Sequence, residues 1–169
     1  MQFRKLSIFI LFVAVAAAGP ALASEEFCIK FEGITGGTAG AGCDPEGSRA
    51  YEYHHLAARE MSSGVPGQLR HQLIILTKMA DEADPLLWQR LDTMAVIPEV
   101  LIESPVGGGG GTRTPFRLTL TNVRILGIEP IIPNSQNPNN EFLGDQTRIR
   151  MDYQSMLIRY GQVEYTTTP

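Results

Sequence analysis

The chain has 169 residues, of which 43% are hydrophobic and 19% charged, a composition typical of a globular domain and not of a disordered chain. The 18 acidic residues outnumber the 14 Lys and Arg residues, and the sequence shows no basic patch, which argues against a nucleic-acid partner. Two cysteines, without a Cys or His pair at zinc-like spacing, argue against a zinc module and against a disulfide-dense scaffold.

The first 23 residues have the pattern of a secretory signal peptide. Two basic residues precede the apolar run 6–18, which is shorter than the roughly 20 residues that a membrane-spanning helix requires. A Gly-Pro pair and an Ala-x-Ala pattern ending at Ala23 follow. An uncleaved anchor or a buried segment fits the length and flanks less well. We therefore expect cleavage after Ala23, a secreted or periplasmic mature chain of residues 24–169, and no stable membrane insertion.

The two cysteines, Cys28 and Cys43, are close enough in sequence to form a disulfide in an oxidising compartment. Such a bond would contribute about 3 kcal/mol by closing a short loop. The sequence leaves open the alternative that Cys28 is a small buried group in a strand and Cys43 is free in its loop.

Alternating apolar residues predict a strand over 27–32, followed by an exposed glycine-rich loop over 34–48. A second strand is predicted over 51–58. After a short polar loop, residues 69–79 form a third strand, in which the four consecutive apolar residues 73–76 indicate burial on both faces or a subunit contact.

One helix is predicted, with Asp84 as its cap and Pro85 in its first turn, and it ends near residues 93–95. Within it, Trp88 is interpreted as a core anchor or an interface residue. The apolar residues that recur at helical spacing are Leu86, Leu87, Leu91 and Met94.

Strand character resumes over 97–103 and continues, after a glycine-rich loop, from Phe116 to Ile132. The last strands, 147–153 and 156–165, are predicted to form a hairpin. Many short strands and one helix indicate a mainly β fold, a single barrel or sandwich domain with the helix packed outside.

The sequence offers little catalytic chemistry. Neither glycine-rich loop carries a phosphate-binding pattern. His54 and His55, neighbours in a predicted strand, would point to opposite faces and could not bind one metal, while His71 stands alone. We expect no metal, cofactor or catalytic residue; an extracellular hydrolase using His71 with a nearby carboxylate is the weakest alternative. Tyr153, Tyr160 and Tyr165 are interpreted as packing residues.

An acidic group precedes the predicted helix, where carboxylates favour the positive end of the helix dipole. This group contains Asp81, Glu82 and Asp84. Its interpretation is structural.

With these elements in place, the sequence resembles the haemolysin-coregulated protein (Hcp) family, the tube subunits of bacterial type VI secretion. The likeness covers nearly all of the mature chain and depends on motifs in a fixed order. These are Thr77-Lys78 at a strand end, Pro85-Leu86-Leu87 after an acidic linker, Ile97-Pro98-Glu99, the strand of residues 116–123, and Tyr160-Gly161 in the closing segment.

The resemblance implies a β-barrel with a lateral helix that forms homo-hexameric rings, which stack into a tube whose lumen holds small protein effectors. It therefore implies a non-enzymatic, ring-forming structural or carrier protein whose main partner is itself. The signal peptide and the long glycine-rich loops depart from a family whose subunits assemble in the cytoplasm. The alternative is an exported binding module on an Hcp-like fold that no longer forms tubes.

Overall fold

The computed structural model describes residues 27–37, 44–62, 65–104, 116–134, 136 and 144–169. The predicted signal peptide, Cys43 and the glycine run 107–111 lie outside these residues. In chain order the elements are β1 (Phe27–Phe31), β2 (Ser48–His54), β3 (Ala57–Ser62), β4 (Val65–His71), β5 (Ile74–Met79), α1 (Asp84–Thr93), β6 (Ile97–Glu103), β7 (Phe116–Ile131), β8 (Gln146–Asp152), β9 (Ser155–Tyr160) and β10 (Val163–Thr167).

Six antiparallel strands close into a barrel in the order β6, β1, β2, β5, β8 and β7. Closure depends on the 16-residue length of β7. Its first half pairs with β6, from Glu103↔Arg117 to Ile97↔Val123, and its second half pairs with β8, from Arg124↔Asp152 to Ile131↔Gln146. The predicted mainly β fold with one helix is confirmed, and α1 packs against β7.

The core lies inside this barrel because every second residue of each strand points inward. The fully buried side chains include Ile74 and Leu76 of β5, Val100 and Ile102 of β6, Leu118 and Leu120 of β7, and Ile149 and Met151 of β8. Within the apolar run 73–76, Ile74 and Leu76 are buried, whereas Leu73 is exposed and Ile75 is half-buried. The prediction that this run is buried on both faces was therefore wrong.

The predicted strands over 51–58 and 69–79 are each divided. β2 ends at His54 and β3 begins at Ala57; β4 ends at His71 and β5 begins at Ile74. β3 and β4 form a separate two-stranded hairpin. The backbone N–H of Gln72 donates to the carbonyl of Leu56 at 2.8 Å, which holds the two strand breaks side by side. The pattern of residues within each segment could not predict these strand breaks, because the breaks depend on this contact between residues distant in sequence.

The predicted final hairpin was also wrong. β8 and β9 follow each other along the same edge of β7, and the Gln154 N–H donates to Thr121 O between them. The hairpin instead joins β9 to β10. Its turn contains Gly161 at a φ of 60°, a left-handed conformation that glycine adopts without strain.

The helix has its predicted extent but not its predicted cap. Ala83 occupies the cap position and no side chain caps the helix, while Asp84 is the first helical residue. Pro85 lies in the first turn as predicted, and the helix ends at Thr93, before Met94 at a φ of 52°. Within the described ranges, no helix combines the length and apolar character needed to span a bilayer.

Candidate assembly surface

A buried lysine connects the barrel to the start of the helix. Lys78 follows Ile74 and Leu76 on the inward face of β5, and its side chain is fully buried. Its Nζ lies 2.6 Å from Asp81 Oδ1 and 2.7 Å from Asp84 Oδ1, and it donates to the carbonyl of Met79 at 2.7 Å. One ammonium group therefore neutralises carboxylates from the linker and from the first helical residue.

The same carboxylates satisfy polar groups around the lysine. Asp81 Oδ1 accepts the Ala83 N–H at 3.0 Å, and Asp84 Oδ2 accepts a hydrogen bond from the Thr147 hydroxyl on β8. This use of Asp84 explains why it does not cap the helix. Unlike the helix-dipole interpretation, the structure gives both Asp81 and Asp84 a specific cationic partner.

The motif residues around the lysine divide between the two faces of the fold. Thr77 points outward from β5 and its hydroxyl donates to Glu52 Oε2 at 3.1 Å. Leu87 is fully buried, while Leu86 and Pro85 are exposed. Ile97 is also buried. Of the motif residues, Lys78 and Leu87 are therefore the ones that connect the helix to the barrel core.

An apolar sheet face continues beyond the barrel onto β9 and β10. Residues directly opposite each other in an antiparallel pair share a face of the sheet. Two rows share the core face of β7: Phe116, Tyr160 and Val163 form one, and Leu118, Ile158 and Tyr165 form the other. The β7 ends of both rows lie in or against the core, but the β10 ends lie outside the barrel.

These outer residues are uncovered in the single chain. Val163 is 72% exposed, Tyr160 58% and Tyr165 50%. The Tyr160 ring contacts Phe116 at a centroid distance of 5.9 Å, which connects it to the core. We call Tyr160, Val163 and Tyr165 the apolar wing. The prediction that Tyr160 and Tyr165 are packing residues fails within one chain, whereas Tyr153 is buried as predicted.

The reverse face of the wing is charged. Glu103, Arg117, Arg159 and Glu164 lie opposite one another across β6, β7, β9 and β10. Arg117 Nη2 donates to Glu103 Oε2 at 2.9 Å, and Arg159 pairs with Glu164. Each glutamate neutralises one member of the arginine pair. Beside this row is a groove of about 300 Å³ lined by Glu99, Leu101, Arg117, Thr119, Leu157 and Arg159.

The helix segment also has exposed apolar residues, of which Leu86 and Trp88 point to different sides of α1. Leu86, Trp88 and Met94 are each about half exposed. Trp88 is therefore not a core anchor, which leaves the interface interpretation of this residue. Neither the wing nor these exposed helix residues can be recognised in the sequence. The spacing of apolar residues along a strand or helix is the same whether their face is covered or exposed.

The three histidines fall into two environments. His54 is exposed, and its Nε2 lies 2.8 Å from Glu52 Oε1; this contact, more than the Thr77 hydrogen bond, lowers the pKa of Glu52. His55 instead meets His71 across the base of the β3–β4 hairpin, with ring nitrogens 3.3 Å apart. Burial, and then the charge of His71, lowers the pKa of His55.

The sequence interpretation missed the pairing of His55 and His71, which lie 16 residues apart and meet only when the hairpin forms. No group of three or more His, Cys, Asp or Glu residues in the described part of the chain is arranged to bind a metal. Cys28 is buried in β1 and engaged in a disulfide bond. Because Cys43 lies outside the described residues, the Cys28–Cys43 pairing stays a prediction.

Known proteins share this architecture. The family model described as "Type VI secretion system effector, Hcp" matches residues 28–166. A search of curated proteins finds no match. A crystal structure of an Hcp protein superposes with a TM-score of 0.70 at 22% identity, covering 85% of this chain and 97% of that chain.

Two further solved structures share the fold. Hcp1 from E. coli EAEC 042 gives a TM-score of 0.67 at 15% identity, covering 85% of this chain and 96% of its own. A type VI secretion system effector from Yersinia pestis gives 0.64 at 13% identity, with coverage of 85% and 99%. The family match extends from β1 into β10, and the chain therefore belongs to the Hcp family and is a structural protein resembling the type VI secretion tube subunit.

Proposed function

We propose that residues 24–169 assemble into a homo-hexameric ring, through contacts centred on the apolar wing, and that the ring acts as a structural or carrier component related to type VI secretion. The observation that carries this proposal is the exposure of Tyr160, Val163 and Tyr165 on a sheet face that is otherwise core. Large uncovered apolar groups of this kind mark contact sites, and buried tyrosines are frequent binding hot spots.

The edge of β10 strengthens this assignment. Among the described residues β10 pairs only with β9, so its outer backbone N–H and C=O groups face away from the sheet. An exposed strand edge invites pairing with another chain unless it is protected. A neighbouring copy that covers the wing and this edge would bury apolar side chains and satisfy backbone groups together.

A ring requires two different surfaces on each copy, because a contact between identical patches closes as a dimer. Trp88 of α1, which is about half exposed, is a suitable second contact, since it belongs to another element and is also apolar. In this arrangement the wing of one copy contacts Trp88 of the next. The proposal assigns the chain no reaction; small protein effectors in the ring lumen are its proposed cargo.

Substitutions in β10 test the wing directly. Val163→Glu places a charge on the wing, while Thr166→Glu places the same charge on an exposed residue of the opposite face of the same strand. Native mass spectrometry of the mature protein across several salt concentrations should show six-subunit species for the parent and for Thr166→Glu, and mostly monomer for Val163→Glu. Circular dichroism confirms that each variant is folded.

A parent protein that stays monomeric would refute ring formation and favour an exported binding module. Equal disruption by both variants would contradict a contact centred on the wing. Trp88→Ser examines the proposed second surface: a variant that retains full hexamer formation would remove α1 from the interface.

Export is the second part of the proposal. The basic residues, apolar run and Ala-x-Ala pattern support cleavage after Ala23 and a periplasmic or secreted mature chain. Intact-mass measurement of the protein from the periplasmic and culture fractions should give a chain beginning at Ser24. Recovery of only the full-length cytoplasmic chain would contradict export without affecting the ring proposal.

A further inference from the structure

Two histidines meet at the base of the β3–β4 hairpin although they come from different segments. His71 is the last residue of β4, and His55 lies between β2 and β3. Nδ1 of His71 lies 3.3 Å from Nε2 of His55. The ring planes differ by 14° and the ring centroids lie 5.3 Å apart. The contact between the two nitrogens has hydrogen-bonding geometry and is shorter than the separation of the ring centres.

Facing imidazole nitrogens require something between them, because two lone pairs at this distance repel each other. A shared proton is one solution, and a metal ion is the other. Zinc binds imidazole nitrogen at about 2.0–2.1 Å, and a tetrahedral angle then separates two nitrogen ligands by about 3.3 Å. The nitrogen separation in the structure therefore equals the separation that one tetrahedral zinc ion requires.

The partners of these rings also suit a metal site. The other nitrogen of His71, Nε2, lies 3.1 Å from the Thr167 hydroxyl on β10. A hydrogen bond from Nε2–H to this oxygen would present Nδ1 as an unprotonated ligand, the second-shell arrangement common for metal-bound histidine. The Tyr153 hydroxyl lies 2.9 Å from His55 Nε2, which places an oxygen next to the same position.

We propose that His55 and His71 bind one divalent transition-metal ion with a preference for imidazole, represented by Zn²⁺, and that water or the Tyr153 hydroxyl completes its coordination. Imidazole nitrogen suits zinc, copper and nickel and not the hard cations magnesium and calcium. Two protein ligands leave other positions to water, so the affinity is modest.

The ion would join three parts of the fold that are distant in sequence. His55 and His71 belong to the base of the hairpin, Tyr153 follows β8, and Thr167 belongs to β10. A bound ion therefore fixes the hairpin relative to the closing strand. This consequence does not depend on ring assembly, because all four residues belong to one chain.

Calorimetric titration of untagged residues 24–169 with Zn²⁺ tests the site. We expect one ion per chain, at least tenfold weaker binding in His55→Asn and in His71→Asn, and unchanged binding in His54→Asn. His54 is the matched control because it neighbours His55 in sequence but contacts Glu52 instead. Mg²⁺ should produce no stoichiometric binding.

A measurement on the parent protein avoids dependence on variants that fail to fold. The chain has three histidines, and imidazole NMR signals should shift for His55 and His71, but not for His54, when Zn²⁺ is added. Stoichiometric binding that persists in His71→Asn, loss of binding in His54→Asn, or imidazole signals that do not respond to Zn²⁺ would overturn the proposal and leave a proton shared between the rings.

Discussion

Replacement of Lys78 by methionine is the sharpest test of how the helix is held on the barrel. The change keeps an apolar stem of similar length but removes the ammonium group that lies 2.6 Å from Asp81 and 2.7 Å from Asp84. It leaves carboxylates that are charged and largely removed from water. Breaking one side of a buried ion pair typically costs 3–5 kcal/mol because the remaining charge has no partner, so we expect a loss of about that size.

The expected loss of stability in Lys78→Met follows from the burial of the lysine and not from the number of carboxylates that it contacts. Lys30 also contacts two carboxylates, Asp44 and Glu46, each at 2.9 Å, but its side chain is 32% exposed whereas that of Lys78 is 0% exposed. The pKa of Lys30 is raised, mainly by its hydrogen bond to Asp44. Solvent screens such a surface pair, so Lys30→Met should have a far smaller effect.

Urea and thermal unfolding of the parent and the two variants measure the difference. For a chain of this size, the loss in Lys78→Met corresponds to a decrease in Tm on the order of 10 °C. A second substitution, Asp84→Asn, made in the Lys78→Met background should recover part of the loss by removing one unpaired carboxylate. If Lys78→Met were no more destabilising than Lys30→Met, the buried ion cluster would not be what holds the helix.

Three further outcomes follow from single contacts. Leu87→Ala should cost about 2–5 kcal/mol in urea unfolding because Leu87 is fully buried, while exposed Leu86→Ala should change stability by less than about 0.5 kcal/mol; similar losses would contradict the described helix face. Gly161→Ala should destabilise the fold by roughly 1–2 kcal/mol because φ is positive there, and an unchanged Tm would disprove that turn geometry. The pKa of Glu52 is lowered in the fold, so the stability that its carboxylate contributes is present above its ordinary pKa and is lost as pH falls through the folded value. The Tm difference between the parent and His54→Ala should therefore close at acidic pH. A Tm difference that does not depend on pH would show that the contact with Glu52 is not its cause.

Local sequence patterns predicted the parts of the fold that local physics determines. General strand character identified the strand over 97–103 at the bounds of β6, and Pro85 with the spaced leucines identified the helix. The continuous pattern from Phe116 onward also predicted most of β7. In each case neighbouring residues were enough to identify the element, although of the four apolar residues at helical spacing only Leu87 is fully buried.

Features that depend on distant segments could not be predicted in this way. The break between β8 and β9 was predicted, but the hairpin between them was wrong because both strands pair with β7, which lies elsewhere in the sequence. The sequence predicted Asp84 as a helix cap and Lys78 as a motif residue, but not the contact between them, which forms only when the barrel brings them together. The apolar wing is hidden for a related reason, since Val163 and Tyr165 alternate like core residues but lie beyond the last strand of the barrel.

The central claim is that this chain works by binding copies of itself. Electron microscopy of purified residues 24–169 tests it most directly, because rings, stacked tubes and single domains are distinguished in one experiment. We expect the parent protein to form sixfold rings with an open centre, and the Val163→Glu variant to give particles of the size of a single domain. Parent particles that remain single domains at every concentration and salt condition would contradict it.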